Sequence, residues 1–206
     1  MKHFFRNNGL SLTLGGLFLF FWGAQAVAGW KVFNEEQLLH YSPTLNFSHY
    51  LLSGHFWQAT GENWESEFLQ MGIYVIFTCF LFQKGSAESK DPEKDNDEDA
   101  PPKKRHSFLY RNSLSLAFLI LFALSFALHA IGGWKESNDE RAEHGQAAET
   151  LGEFLTGAEF WFQSFQNWQS EFLAVFSIVV LSIFLRQQGS PESKHVDAPN
   201  SETGAG

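Results

Sequence analysis

Four uncharged apolar stretches alternate with polar segments along this chain. Asn7–Trp30 and Asn112–Trp134 contain no Asp, Glu, Lys or Arg and are rich in Leu, Phe and Ala. Phe68–Gln83 and Phe172–Leu185 are also uncharged but shorter. At about 1.5 Å per residue, each longer stretch can cross a hydrocarbon core of about 30 Å as a helix. The pattern predicts an all-α, polytopic membrane protein with four transmembrane helices.

The second half of the sequence repeats the first at a constant offset of 104 residues. Asn63–Leu69 recurs as Asn167–Leu173 with six of seven residues identical. Three further blocks match at the same offset: Gly29-Trp30-Lys31 with Gly133-Trp134-Lys135, Phe56-Trp57 with Phe160-Trp161, and Gly85–Lys90 with Gly189–Lys194. A constant offset over four blocks indicates duplication of one structural unit. Because each copy holds two crossings, we expect two helical-hairpin repeats of the same orientation, related by a pseudo-twofold axis along the membrane normal.

The repeats and their connectors can be placed along the chain. Repeat 1 covers residues 1–84 with crossings at about 10–30 and 64–83, and repeat 2 covers 107–188 with crossings at about 112–133 and 168–186. The linker 85–106 and the tail 189–206 are rich in charged residues and lack apolar periodicity. Such composition predicts disorder in both.

The two loops between the crossings of each repeat, 31–62 and 135–166, have amphipathic patterns. Ser48–Gln58 and Thr150–Phe165 place apolar residues at helical spacing, which predicts helices in these loops. Their many aromatic residues favour a position at the membrane interface.

Basic residues are distributed unevenly among the connectors. Eleven of the 14 Lys and Arg lie in the N-terminus, the linker and the tail, and the loops hold only Lys31, Lys135 and Arg141. The positive-inside rule then predicts that both termini face the cytoplasm. The net charge of -9 argues against a nucleic-acid partner.

The first 28 residues also resemble a signal peptide, with basic Lys2 and Arg6, an apolar stretch and small residues near Ala26. Similar residues recur in mid-chain, from Arg111 to Lys135, where no cleavage is expected. A retained helix is therefore favoured, and a cleaved signal is the alternative.

The repeated motif opens the second crossing of each copy. Asn63 and Asn167 are expected to cap these helices, and Trp64 and Trp168 are expected at headgroup level. Only 16 residues separate Glu67 from Lys84, which is about 24 Å of helix and shorter than the hydrocarbon core.

Short crossings bring two acidic residues, Glu67 and Glu171, to the edge of the hydrocarbon, where they need polar partners. Gln25 and His129 occupy equivalent positions near the outer ends of the first and third crossings. We predict that Gln25 lies near Glu67 and His129 near Glu171. Two interpretations remain open: hydrogen bonds that hold helices together, and a proton- or cation-responsive site.

No metal or cofactor site is predicted. The outer histidines are scattered and His55 is matched by Glu159 in the second copy, so they lack the paired spacing of metal ligands. The single cysteine, Cys79, lies in an apolar stretch and permits no intrachain disulfide.

Several motifs resemble a family of bacterial membrane proteins known only as a domain of unknown function. They are Phe5–Ser11, Gly54-His55-Phe56, Glu62–Gln70 and Gly85–Lys90. The second copy departs from the pattern at Ser113 and Glu159. The resemblance implies a bacterial inner-membrane setting, and it supplies no activity for the chain.

The sequence favours a non-enzymatic membrane protein that acts as an accessory or interaction component of the bacterial envelope. Its expected partners are the lipid bilayer and a second copy of the chain or another membrane protein. The alternative is a small transporter or ion- or proton-conducting protein that uses the Glu, His and Gln pairs as a dimer. A membrane enzyme is a third hypothesis, with Glu67, Glu171 and His129 as its candidate groups.

Overall fold

The computed structural model describes residues 2–94, 100 and 104–204, and in this part of the chain all regular structure is helical. Seven helices follow in order: α1 (Lys2–Leu39), α2 (Phe47–Tyr50), α3 (Gly54–Phe77), α4 (Phe108–Arg111), α5 (Ser113–Glu143), α6 (Leu151–Thr156) and α7 (Ala158–Phe184). The all-α prediction is confirmed for the described residues. Disorder was predicted for the linker, and its residues 95–99 and 101–103 lie outside the described residues.

Three helices in the described part of the chain are long and apolar enough to cross a membrane. They are His3–Leu39 in α1, Ser113–Glu143 (α5) and Ala158–Phe184 (α7). The helix at the predicted second crossing, α3, is not among them. It ends at Phe77, soon after the acidic residues Glu62, Glu65 and Glu67, so little uninterrupted apolar sequence remains within the helix.

The motif asparagines do not cap helices, which corrects the sequence prediction. α3 already begins at Gly54 and α7 at Ala158, so Asn63 and Asn167 lie well inside helices. A cap needs a non-helical backbone, and no proline interrupts either helix. The helices predicted for the loops therefore continue into the predicted crossings.

The described residues form two compact units, and the first comprises the described parts of Met1–Thr60 and Leu128–Leu155. Its core contains Ala26, Phe33, Tyr50 and Phe56, with Trp22 and Trp30 packed against it. The loop after α1 is held by Trp30, whose Nε1 donates to the carbonyl of Leu45 at 2.7 Å. These aromatic contacts fix the start of α3 against α1.

Two helices of this unit approach each other through glycine. A Cβ atom added to Gly132 of α5 would lie 2.5 Å from the backbone nitrogen of Gln58 in α3. A Cβ on Gly54 would lie 2.7 Å from the carbonyl oxygen of Gly132. Because glycine lacks Cβ, the two backbones can touch here.

The second unit comprises the described parts of Gly61–Ala127 and Thr156–Gly206. It contains the C-terminal part of α3, the N-terminal part of α5 and α7. Gly72 of α3 lies against Phe118 of α5, where an added Cβ would be 3.4 Å from the Cβ of Phe118. Against α3, α7 makes the polar contacts described below.

The tail after α7 wraps around Lys194, which is 2% exposed. Its Nζ donates to the backbone carbonyls of Gly85 (2.6 Å), Ile183 (3.3 Å), Pro199 (3.4 Å), Asn200 (3.1 Å) and Glu202 (2.9 Å). Residues 190–204 form successive turns around this ammonium group. The disorder expected after Gly189 stays a prediction.

Candidate functional site

The candidate site is built around Glu65, an acidic residue of α3 that is fully buried. Its Oε1 accepts hydrogen bonds from Ser164 Oγ at 2.8 Å and from Trp168 Nε1 at 3.2 Å, both on α7. Ser164 is itself fully buried. Removing a carboxylate from water costs several kcal/mol, and hydrogen bonds to a charged acceptor offset part of that cost. Glu65 therefore depends on α7 for its stability inside the protein.

Polar contacts between α3 and α7 continue on both sides of Glu65. One turn earlier, Glu62 Oε1 accepts from Asn167 Nδ2 at 2.5 Å and from Gln166 Nε2 at 3.3 Å. Further along, Gln70 Nε2 donates to the backbone carbonyl of Glu171 at 3.3 Å. We call this contact the polar seam, which consists of Glu62, Glu65 and Gln70 on α3 and Ser164, Gln166, Asn167, Trp168 and Glu171 on α7.

Aromatic rings surround the donor side of the seam. The Trp168 ring lies 6.3 Å from Phe122 of α5 and 5.6 Å from Phe165, measured between centroids. It also meets Trp161 edge-on at 6.4 Å. These rings make the surroundings of the seam apolar, which strengthens its electrostatic interactions.

The two predicted carboxylates lie in this unit. Glu67 is exposed and Glu171 is half-buried, and their like charges interact unfavourably with each other. Gln25, half-buried on α1, and His129, fully buried on α5, belong to the first unit. The pairing of Gln25 with Glu67 and of His129 with Glu171 stays a prediction.

The other motif residues lie in the same unit. Asn167 and Trp168 donate hydrogen bonds to carboxylates of α3. Asn63 is exposed and Trp64 is half-buried. Sequence reasoning did not single out Glu65. One sequence pattern could have identified it, because Glu62 and Glu65 lie about one turn apart and therefore share one face of a helix.

A second polar cluster lies in the first unit, outside the predicted crossings. The Tyr50 hydroxyl and His55 Nδ1 are 3.1 Å apart, and the ring of Phe33 packs edge-on against His55 at 5.4 Å. Burial lowers the pKa of His55, and the nearby Glu36 opposes this. Burial also raises the pKa of Tyr50 to about 12, with a smaller contribution from Glu136. Burial therefore favours the neutral form of both side chains.

Next to this cluster is a cavity of about 510 Å³. Its lining combines apolar side chains with four acidic ones, the acidic residues being Glu136, Asp139, Glu140 and Glu143. The backbone N–H of His55 donates to the carboxylate of Glu136. Among the residues that the structure describes, no group of three or more His, Cys, Asp or Glu side chains is arranged to hold a metal ion.

Comparison with known proteins gives one family. A family model described as a domain of unknown function (DUF6766) matches residues 1–205. No curated protein and no solved structure matches the chain.

Proposed function

We propose that this chain, which belongs to the family described as a domain of unknown function, DUF6766, is a four-crossing bacterial inner-membrane protein that acts by association. It is a duplicated helical hairpin with both termini in the cytoplasm. Its role is that of a non-enzymatic accessory component that binds a second copy of itself or another membrane protein. The helices of the second and fourth crossings also carry the polar seam.

The membrane assignment rests on helices whose apolar surfaces are mostly not buried by the rest of the chain. The apolar windows of α1 and α7 are only 6% buried within the chain. Such surfaces are stable in contact with lipid or with another apolar helix. The second crossing in this proposal consists of the C-terminal part of α3 and the residues after Phe77.

Hydrogen bonds that recur 104 residues apart support the duplication. Trp30 Nε1 donates to the carbonyl of Leu45 at 2.7 Å, and Trp134 Nε1 donates to the carbonyl of Glu149 at 2.8 Å. Two further pairs of hydrogen bonds match at this offset. The bond from Asn34 Nδ2 to the Leu45 carbonyl corresponds to that from Asn138 Nδ2 to the Glu149 carbonyl. The bond from the Gln83 N–H to Ser89 Oγ corresponds to that from the Gln187 N–H to Ser193 Oγ. Unrelated segments would not repeat both the donors and the acceptors at one offset.

Equivalent residues also meet each other, as a pseudo-twofold axis requires. In the first unit, the rings of His40 and His144 are 6.1 Å apart. In the second unit, Glu62 accepts a hydrogen bond from Gln166. Only positions close to a twofold axis contact their own counterparts.

The observation that favours association is a row of glycines on α1. Gly9, Gly16 and Gly23 are seven residues apart and therefore share one face of the helix. Nothing in the described chain lies within 4 Å of a Cβ added at any of them. Small residues on a membrane helix let another helix approach closely.

Association is tested in native membranes by single-molecule photobleaching and by pulldown in mild detergent. The double variant Gly16→Leu/Gly23→Leu should lose self-association or a partner found with the wild type. Gly15→Leu is the matched control, because Gly15 also lacks neighbours within 4 Å but lies about 100° around the helix from Gly16. A wild-type protein that is monomeric and returns no partner would overturn the proposal.

The alternative, a proton- or ion-conducting protein, is favoured by the complete burial of His129 on α5. An ionisable residue within a membrane helix marks transport paths in many proteins. Purified protein in liposomes should then carry protons, sodium or potassium, and His129→Ala should abolish that flux. Flux equal to that of empty vesicles for all three ions would remove this alternative.

A further inference from the structure

The cavity of the first unit has a volume of about 510 Å³, which is within the range of about 300–1000 Å³ that small-molecule sites occupy. All of its lining residues belong to the loops 31–62 and 135–166, outside the predicted crossings, so a dissolved ligand can reach it. We propose that this cavity binds an organic cation in which an ammonium group is joined to an apolar body. Binding here is independent of the association proposed above.

Four carboxyl groups of α5 line the cavity, and we call Glu136, Asp139, Glu140 and Glu143 the acidic wall. From the first to the last they follow at intervals of three, four and seven residues, which places them on one side of the helix. The charges of the other three disfavour the ionised form of Glu136. α5 also ends at Glu143, and the C-terminal end of a helix favours cations over carboxylates. The wall therefore favours a positively charged ligand.

The basic side chains of the lining do not balance this charge. Lys135 contributes one positive charge, and its Nζ donates to the backbone carbonyl of Leu52 at 3.3 Å. His49 is the other basic residue of the lining and is exposed. Arg141 of the same helix lies outside the lining, and its Nε donates to the carbonyl of Ala147 at 2.7 Å. Four carboxylates against Lys135 and a protonated His49 still leave a negative charge for a ligand.

Apolar side chains form another part of the lining. They include Phe33, Pro43, Leu45 and Leu52. Leu52 is 70% exposed, so contact with an apolar ligand would remove its surface from water. A hydrated inorganic ion gains nothing from such a surface. The apolar lining and the acidic wall together therefore select a cation that carries an apolar body.

Contacts within the protein hold the lining in place. The backbone N–H of Leu45 donates to Asn34 Oδ1 at 2.8 Å, and its carbonyl accepts from Trp30 Nε1 at 2.7 Å. The start of α3 lies against the acidic wall, since a Cβ added to Gly54 would be 2.7 Å from the backbone nitrogen of Glu136. A site that is already formed loses less conformational entropy on binding.

The sequence repeat does not account for this lining. At the offset of 104 residues, Glu136 of the wall corresponds to Val32, and Phe33 of the apolar part corresponds to Ser137. The equivalent positions thus exchange an acid for an apolar residue and an apolar residue for a polar one. Duplication alone would give both halves the same chemistry, so this combination matches a single binding site better than a repeated structural contact.

The proposal is tested by calorimetry on the full-length protein in nanodiscs of zwitterionic lipid at neutral pH. The probe is phenethylammonium. It is compared with 2-phenylethanol, which has a hydroxyl in place of the ammonium group, and with ethylammonium, which lacks the ring. The probe should bind one site per chain and at least about tenfold more tightly than either comparison, because each lacks one of the two recognised groups. Probe binding equal to that of empty nanodiscs, or equal affinity for the alcohol, would overturn the proposal.

A double variant locates the site. Asp139→Asn/Glu140→Gln removes two charges of the acidic wall at exposed positions and should weaken probe binding at least about tenfold. The matched control is Glu35→Gln/Glu36→Gln, because these exposed residues occupy the equivalent positions of the repeat and lie outside the lining. The control should stay within about twofold of the wild type, since salt screens exposed charges outside the site. Equal losses in both double variants would contradict binding at the acidic wall.

A variant of the apolar lining keeps the location testable if the charge variant does not fold. Leu52→Ser should reduce the preference for phenethylammonium over ethylammonium by at least about threefold, because less apolar surface is buried with the ring. Leu38→Ser is the control, since Leu38 is also exposed and lies outside the lining. An unchanged preference in Leu52→Ser would count against this cavity as the binding site.

Discussion

A few side chains of this protein combine full burial with polar chemistry, and each is held by contacts from another element. Glu65 accepts from two residues of α7, and Lys194 donates to five backbone carbonyls. Leaving a buried polar group without its partner costs more than a typical hydrogen bond contributes. Substituting the residues that supply these hydrogen bonds should therefore lower the stability of the protein.

Replacing Ser164 with alanine should lower the free energy of unfolding by about 1.5–3 kcal/mol, the usual value for a hydrogen bond to a charged group. The change in unfolding free energy is measured by denaturing the purified protein in mixed micelles at neutral pH. Ser170→Ala should stay within about 0.5 kcal/mol of the wild type, as exposed substitutions do. Equal losses in both variants would show that the bond to Glu65 contributes nothing specific.

The His55 side chain should make stability depend on pH. Burial lowers its pKa in the folded protein below the ordinary 6.5, so the unfolded chain binds a proton more readily. Its contribution is present above pH 6.5 and is lost as the pH falls through the folded-state pKa. Thermal unfolding should show that His55→Gln loses this part of the dependence, while His49→Gln, an exposed residue, keeps it.

At the scale of elements, close backbone approach and continuous helices determine how the chain packs. α3 and α5 touch at Gly54 and Gly132, where a side chain would meet backbone atoms. α3 and α7 are longer toward their N-termini than the motif asparagines suggested.

Gly132→Ala should destabilise the protein by about 1–3 kcal/mol, because the new methyl group would overlap the backbone of Gln58. The matched control is Gly23→Ala in α1, where nothing lies within 4 Å. That control should be neutral or stabilising, since alanine is a better helix former than glycine by about 1 kcal/mol. The comparison of the two unfolding free energies gives the cost of the contact alone.

The helical nature of these elements could be predicted from sequence, and their ends could not. Apolar stretches mark α1, α5 and α7 because lipid-compatible helices need long uncharged runs. The start of α3 at Gly54 was missed because Asn63 resembles a cap and the loop pattern was treated as a separate helix. The burial of Glu65 was missed because the face of α3 that meets α7 is decided by tertiary packing. The spacing of apolar residues within α3 does not indicate which of its faces meets α7.

At the scale of the whole molecule, the proposed duplication predicts that equivalent segments lie on the same side of the membrane. Reporter fusions at Pro92 and at the C-terminus should both report the cytoplasm, because basic residues concentrate there. Fusions at Pro43 and Gly145 should both report the outer side. Opposite locations for Pro92 and the C-terminus would contradict four crossings.

The two segments that form the polar seam contribute different groups to it. The acceptor carboxylates, Glu62 and Glu65, lie in α3, and their hydrogen-bond donors lie in α7. Deleting either segment would separate these acids from their hydrogen-bond donors. Under the proposed duplication, neither half could lose its seam residues without affecting the other.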